Sequence, residues 1–259
     1  LTSMVIESLR FLVLLSWGLL AAGLAWYCLS ISQKITYVTL ADGRQQERKL
    51  PLMFRLLLPF VPNLDGLVMR PALEKKRTVA DRQLVSAGFE GLLSGREMTA
   101  IQLLLPVVGG IAMLIGVKLL LLLNPDFGSN ALLIFLGGTA MCYVYPLIWL
   151  RGVLGKRHRE IQKSLPFVLD LLTLSLESGM DFMSALQRNC ERRKLDALNE
   201  ELIRMVREVQ VGTTRRTALK NLSTRVNLPD LKSVVHALVQ ADELGVSIGA
   251  ILRIQSDQM

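Results

Sequence analysis

The stretch ESGMDFMSAL, residues 177–186, reads as the end of one helix and the beginning of the next. Gly179 can adopt the left-handed backbone conformation that closes a helix, and Asp181 can cap the following helix by accepting hydrogen bonds from its free amides. Related stretches follow twice at equal intervals, QVGTTRRTAL at 210–219 and ELGVSIGAIL at 243–252. The sequence therefore predicts three successive helix–turn–helix units of about 33 residues each.

The repeats share a glycine, a capping residue two positions later and a leucine seven positions after the glycine. The turn-forming residues predicted from this register are Gly179, Gly212, Gly245, Asp181, Thr214 and Ser247. They separate six predicted helices, at about 166–178, 181–191, 196–211, 214–226, 229–244 and 247–259. Pro166 and Pro229 suit the first turn of a helix, where a missing N–H costs little.

Six helices joined by short turns indicate an up-and-down bundle with its glycine turns at one end. A tetratricopeptide or ankyrin solenoid is the alternative at this period, but its sequence signature is absent.

Upstream of this bundle the chain is strongly apolar. Three runs, 11–31, 101–123 and 131–150, contain no charge except Lys118, and each can cross a hydrocarbon core of about 30 Å. A signal peptide is the alternative for the first run, but its apolar region would usually be shorter and followed by a small-residue cleavage site. The predicted fold class is an all-α integral membrane protein with three transmembrane helices and a cytoplasmic six-helix bundle.

The distribution of positive residues predicts the topology. Segment 34–100 holds 11 Lys and Arg against 7 Asp and Glu, segment 151–259 holds 17 against 13, and the loop NPDFGSN at 124–130 has no Lys or Arg. We therefore expect a periplasmic N-terminus with a membrane helix in 1–33, a transmembrane hairpin in 101–150, and cytoplasmic segments 34–100 and 151–259. Cytoplasmic loops facing anionic lipid explain the net charge of +8 without nucleic acid.

Two local features of the cytoplasmic segments add to this prediction. The apolar stretch around 51–73 is broken by four prolines, so we expect it to lie along the membrane surface, with a short helix after it that ends at Gly88. His158 lies in the basic cluster KRHR at 156–159, and we expect it to be solvated at the membrane surface.

Several charged residues occupy unfavourable helix ends. Glu177 and Glu243 lie near predicted C-termini and Arg215 and Arg216 at a predicted N-terminus, so each pair opposes the helix dipole. Pairing between them at the glycine-turn end would relieve both mismatches, either as an internal staple or as a docking surface. The helices that carry the glutamates have further polar residues seven positions earlier. The candidate residues for this charge network or partner-binding surface are Glu177, Glu243, Arg215, Arg216, Asp170 and His236.

The stretches SLPFVLDLLTLSLESGMDFMSAL and LPDLKSVVHALVQADELG, at 164–186 and 228–245, resemble the type II secretion system F-domain, in particular the TadC-like proteins of the tight-adherence (Tad) pilus machinery. This resemblance implies a non-catalytic platform protein of the bacterial inner membrane. Its implied partners are a cytoplasmic hexameric secretion ATPase, a paralogous TadB-like F-domain subunit and pilin, in a homo- or hetero-oligomer. The family normally continues into a final transmembrane span, so we expect this chain to be truncated before it.

No residue pattern points to chemistry. The sequence has two histidines and three cysteines, and it contains no Walker A, HExxH, GxSxG or CxxC motif. We therefore expect no enzymatic activity, cofactor or metal site. A small-solute transporter or another membrane scaffold with a helical cytoplasmic domain is the alternative function, although a transporter predicts more spans, inverted repeats and polar groups at mid-membrane.

Overall fold

The computed structural model describes residues 37–39, 45–47, 50–123, 131–244, 249 and 251–253. The first predicted span at 11–31, the loop at 124–130, and Gly245 and Ser247 of the third turn lie outside the described residues. The described part is helical apart from two antiparallel three-residue strands, β1 (Tyr37–Thr39) and β2 (Gln45–Glu47). The sequence analysis did not predict this small hairpin.

The proline-rich segment forms short helical pieces. They are α1 (Leu52–Leu57), a 3₁₀ segment (Leu58–Leu64), α2 (Asp65–Val68), a 3₁₀ turn (Pro71–Leu73) and α3 (Glu74–Ser86). Pro59, Pro62 and Pro71 interrupt regular α-helix along this segment, because proline removes an amide donor and restricts the residue before it. Helix α3 contains no proline, and it ends where Gly88 adopts a φ of 78°. The amide of Phe89 then bonds the carbonyl of Leu84 at 2.9 Å, which closes the helix as predicted.

Two long helices follow, α4 (Gly95–Leu123) and α5 (Ala131–Glu177). Both are long and apolar enough to cross a membrane, over Gly95–Lys118 and within Leu132–Glu177. Helix α5 has 47 residues and passes through the position where the sequence predicted one helix to stop and another to begin. The prediction of a helix start at Pro166 is therefore wrong.

Packing explains why the interior proline is tolerated. The residues on either side of Pro166, Leu165, Val168 and Leu169, are all buried in one core. Their burial stabilises the helix on both sides of the proline and offsets the roughly 3 kcal/mol that an interior proline costs.

The remaining helices are α6 (Phe182–Arg192), α7 (Ala197–Gln210), α8 (Arg215–Val226) and α9 (Pro229–Leu244). Their ends lie within one residue of the predicted bounds because each end carries a local signal. The Asp181 carboxylate accepts from the amide of Met183 at 2.9 Å, and the Thr214 hydroxyl accepts from that of Thr217 at 3.3 Å. Asn227, in the left-handed region at φ 54°, ends α8.

Helix α5 joins two hydrophobic cores. The C-terminal core contains its second half, from Ile161 onward, together with α6–α9. The membrane-proximal core contains α1, α3, the start of α4 and Leu150 of α5. Trp149 packs edge-on against Phe54 at 4.8 Å and against Phe89 at 5.5 Å between ring centroids. The long apolar part of α5 and the C-terminal helices therefore share one continuous helix.

Candidate partner-binding surface

Two glycine turns lie at the same end of the C-terminal helices. Gly179 and Gly212 have φ values of 88° and 105°, at which the backbone of a residue with a side chain would be strained. Each turn therefore reverses the chain within a few residues. The guanidinium of Arg215, at the start of α8, lies 5.6 Å from the ring centroid of Phe182, at the start of α6. We name the residues around these turns and the C-terminus of α9 the turn-end surface. Its members are Glu177, Val211, Arg215, Arg216, Asp242, Glu243, Leu244 and Arg253.

Ion pairs connect the helices across the turn-end surface. Arg215 pairs with Asp242, and Arg216 pairs with Glu243 at 3.2 Å and approaches Asp242 at 4.0 Å. Glu177 pairs instead with Arg253 at 3.2 Å. The structure thus brings Arg216 and Glu243 together, as the dipole argument proposed, but gives Glu177 a different partner.

Sequence reasoning overlooked Asp242. It contacts both arginines and lies in the last turn of α9, beside Glu243. Its position at a helix C-terminus was the same signal that singled out Glu243, because the dipole disfavours an anion there too.

Four of the six paired charged side chains of this surface are more than 40% exposed, whereas Arg215 and Asp242 are 29% and 24% exposed. Arg216 is 43% exposed, Glu243 48%, Glu177 47% and Arg253 70%. Ion pairs this exposed contribute about 0–1 kcal/mol each to folding, since water competes for both partners. Folding stability alone therefore does not account for the concentration of charge here.

Two exposed apolar residues accompany these charges. Val211 is 83% exposed and Leu244 is 77% exposed. Val211 directly precedes Gly212 and Leu244 directly precedes Gly245, so the two apolar residues occupy equivalent positions of the repeat. Exposed apolar residues rimmed by charge are typical of protein-binding surfaces. Their equivalent positions in the 33-residue repeat are the sequence signal that could have predicted this surface.

Asp170 and His236 lie away from this surface. Both are exposed, and each is seven residues before its glutamate, or about 10 Å along the helix. Thr173, three residues after Asp170 on α5, is buried and donates to the carbonyl of Leu169 at 2.8 Å.

A buried ion cluster was missed entirely. Arg157 of α5 is 4% exposed and donates to Glu200 at 2.8 Å and to Glu201 at 3.0 Å. Arg225 of α8 completes the cluster by donating to Glu201 at 3.1 Å and to Glu208. These contacts hold α5, α7 and α8 together.

The expectation that His158 is solvated at the membrane surface is wrong, because His158 is half-buried against the C-terminal helices and Arg157 beside it is buried. Arg157 is buried in the ion cluster, and a ring nitrogen of His158 lies 2.8 Å from the carbonyl oxygen of Val226. Both belong to the C-terminal helices because α5 continues without a break and its helical period turns their side chains toward α7 and α8.

A second ion pair links the two cores. Glu90, which follows α3, accepts two hydrogen bonds from Arg204 of α7, one of them at 3.2 Å. These bonds and the positive charge of Arg204 lower the pKa of Glu90, against a smaller opposing effect of its partial burial. The pair therefore connects the membrane-proximal core to the C-terminal helices at a point distant in sequence.

Among the described residues, no three His, Cys, Asp or Glu side chains are grouped so that they could hold a metal ion. Burial raises the pKa of Cys190 to about 12, so its sulfur is a thiol at neutral pH and a poor nucleophile.

Comparison with known proteins identifies the C-terminal part. The family model described as "Type II secretion system (T2SS), protein F" matches residues 168–259. No curated protein and no solved structure gives a significant match to the chain. The matched region contains both described glycine turns, at Gly179 and Gly212, together with the turn-end surface and most of the C-terminal core. A type II secretion system protein F domain is therefore found at residues 168–259.

Proposed function

We propose that this chain is a non-catalytic inner-membrane platform subunit of a Tad or type IV-like pilus assembly machine, and that it couples a cytoplasmic secretion ATPase to pilin assembly. Proteins with an F-domain are in general membrane platforms of secretion or pilus machinery, where they interact with secretion ATPases and with other platform components. The observation that carries the proposal is the continuity of α5. One helix begins as an uncharged apolar run and ends inside the matched domain.

The proposed topology places the matched domain in the cytoplasm. Helix α5 leaves its apolar run at Leu150 and ends at Glu177. At 1.5 Å per residue the turn-end surface lies about 40 Å beyond the end of the apolar run, measured along α5. A soluble motor could contact a surface at that distance without meeting lipid. The N-terminus would be periplasmic, with residues 34–100 and 151–259 cytoplasmic.

We assign ATPase docking to the turn-end surface. Exposed charges of both signs lie on this surface together with Val211 and Leu244, and these charges contribute little to folding. Charge of both signs favours one orientation of a partner, and the two exposed apolar residues supply contact area. A paralogous F-domain subunit and pilin are the other proposed partners, at surfaces that we do not assign.

The first experiment is an affinity pull-down of the full-length protein in detergent, from cells that express the complete machine. Recovery of a hexameric ATPase and a second F-domain protein is the expected result. Repeated absence of both, together with solute transport after reconstitution into liposomes, would overturn the platform function in favour of a transporter.

A charge reversal tests the docking surface itself. Arg216→Glu should abolish ATPase recovery, whereas Arg159→Glu, at an exposed position of α5 outside the turn-end surface, should retain it. The double variant Arg216→Glu with Glu243→Arg restores the internal ion pair with its polarity inverted. Recovery should remain lost in the double variant. Restored binding would mean that the pair serves only as an internal staple.

A further inference from the structure

A groove of about 340 Å³ opens where α3 meets the two long helices. Helix α3 lines it with Lys75, Lys76 and Val79, α4 with Met98, and α5 with Tyr143 and Leu147. Its wall is mostly apolar, and its two cationic groups come from adjacent positions of α3. The groove is separate from the turn-end surface and from the buried ion cluster.

The groove lies at the cytoplasmic end of the proposed spans. Leu150 also lines it and is the last residue of the uncharged run, directly before Arg151. Tyr143 lies seven residues earlier, so the groove reaches about 10 Å into the apolar run. Its depth corresponds to the boundary between lipid headgroups and acyl chains.

The lysines face this boundary from the protein side. The Lys76 ammonium donates to the Tyr143 hydroxyl at 3.2 Å and lies 6.0 Å from the centroid of its ring. One hydrogen bond leaves the other two N–H groups of the ammonium available to a ligand. Lys75, one residue earlier, is also exposed at the groove.

Exposed apolar residues also occur at the groove and in the segment that precedes it in sequence. Val79 is 52% exposed, and further exposed apolar residues precede it along the segment that was predicted to be interfacial. These residues are Leu52, Met53, Phe60, Leu67 and Met69. Aqueous solvent would leave these residues uncovered, whereas acyl chains would cover them.

We propose that this groove is a binding site for one anionic phospholipid of the cytoplasmic leaflet. Lys75 and Lys76 bind the headgroup phosphate, the Tyr143 hydroxyl positions Lys76, and one acyl chain lies against Val79, Met98 and Leu147. Charge complementarity and the apolar wall select this occupant together, because a soluble anion would use the lysines alone and a neutral lipid only the wall. The inference rests on the membrane insertion that the proposed function includes, but not on the ATPase or pilin.

The test uses the full-length protein in detergent micelles titrated with phosphatidylglycerol, with bound lipid counted by native mass spectrometry. One phosphatidylglycerol should bind per chain. Near an anionic membrane each lysine contributes about fivefold to affinity, so Lys75→Ala with Lys76→Ala should weaken binding about 30-fold. Lys156→Ala with Arg159→Ala removes the same charge from exposed positions of α5 and should weaken it less than about threefold.

A second variant separates the groove from surface charge. Ala80 also lines the groove, and Ala80→Phe narrows it while both lysines remain. Ala80→Phe should no longer bind phosphatidylglycerol. Circular dichroism checks that the variant keeps its helix content. Unchanged binding in Ala80→Phe, or equal losses in the two charge-removal variants, would overturn the proposal.

Two further ligands identify the source of the phosphate. Glycerol phosphate at the same concentration should not compete with phosphatidylglycerol, and phosphatidylcholine should bind at least tenfold more weakly. Effective competition by glycerol phosphate would make this a site for small anions and overturn its assignment to a lipid. These measurements need no ATPase, so their failure is distinct from failure of the platform function.

Discussion

Replacing Arg157 tests the buried ion cluster most directly. The two Nη atoms of the Arg157 guanidinium contact Glu200 and Glu201. The side chains of Arg157 and Glu201 are only 4% and 7% exposed. In Arg157→Met the aliphatic part of the side chain remains, but Glu201 keeps only Arg225 as its cationic partner. Breaking a buried pair costs about 3–5 kcal/mol, because the remaining charge is left without compensation. The bond from Arg225 places the expected loss near the lower limit, at about 3 kcal/mol.

Cys190 provides a local assay of this loss. It is 5% exposed and its pKa is raised to about 12, so a thiol reagent should label it only after the C-terminal helices open. With Cys28 and Cys142 replaced by serine, labelling during a temperature ramp reports this event alone. About 3 kcal/mol corresponds to a decrease of roughly 6–12 °C in the midpoint for a protein of this size.

Arg159→Met is the matched control, because Arg159 is an exposed residue of the same helix. It should shift the midpoint by less than about 2 °C, as is usual for surface substitutions. Adding Glu201→Gln to Arg157→Met should cost less than the sum of the two single changes, since the neutral amide removes the uncompensated charge. Equal midpoints for Arg157→Met and Arg159→Met would refute the reasoning.

Three further predictions concern other contacts. A Cβ at Gly109 of α4 would lie 2.5 Å from the sulfur of Cys142 on α5, whereas a Cβ at Gly116 would meet nothing within 4 Å. Gly109→Val should therefore lower the melting temperature in detergent, and Gly116→Val should not. Asp181→Ala should cost about 1 kcal/mol through the lost cap, and Asp181→Asn, which keeps an acceptor oxygen, should cost little in the same melts. The pKa of Glu90 is lower in the folded protein than its ordinary value of 4.5. Ionised Glu90 therefore stabilises the fold above about pH 4.5, and this stabilisation is lost as the pH falls through the pKa of the folded state. The difference in melting temperature between wild type and Arg204→Gln should therefore be largest near neutral pH and shrink below about pH 4.5, with a contribution below about 1 kcal/mol because the pair is partly exposed.

Local signals predicted the ends of α6–α9 because those ends are determined locally. A glycine that must adopt positive φ, followed by a capping side chain, is sufficient to end one helix and begin another. The same local reasoning was wrong at Pro166, where a helix start is favoured by the residue but overridden by the burial of Leu165 and Val168. A local rule cannot anticipate packing between segments that are distant in sequence.

The charge pairs show the same limit at the candidate site. Dipole arguments identified which charges needed a partner, and Arg216 does pair with Glu243. They could not assign Arg253 to Glu177, or Arg157 to the buried pair Glu200 and Glu201, because those pairings depend on the register between helices. A single sequence gives the period of each helix but not its rotation against its neighbours.

The path of α5 between the two cores limits how the F-domain can move relative to α4 and the apolar part of α5. Leu150 is buried in the membrane-proximal core, and Val153 and Leu154 pack against it. Within the next seven residues Arg157 enters the ion cluster and Ile161 enters the C-terminal core, so no turn of this stretch lacks a tertiary contact. A flexible linker would instead show a run of exposed residues with little packing. A force applied at the turn-end surface would therefore reach the apolar part of α5 through packed helix, and rotation of the domain would require these contacts to break.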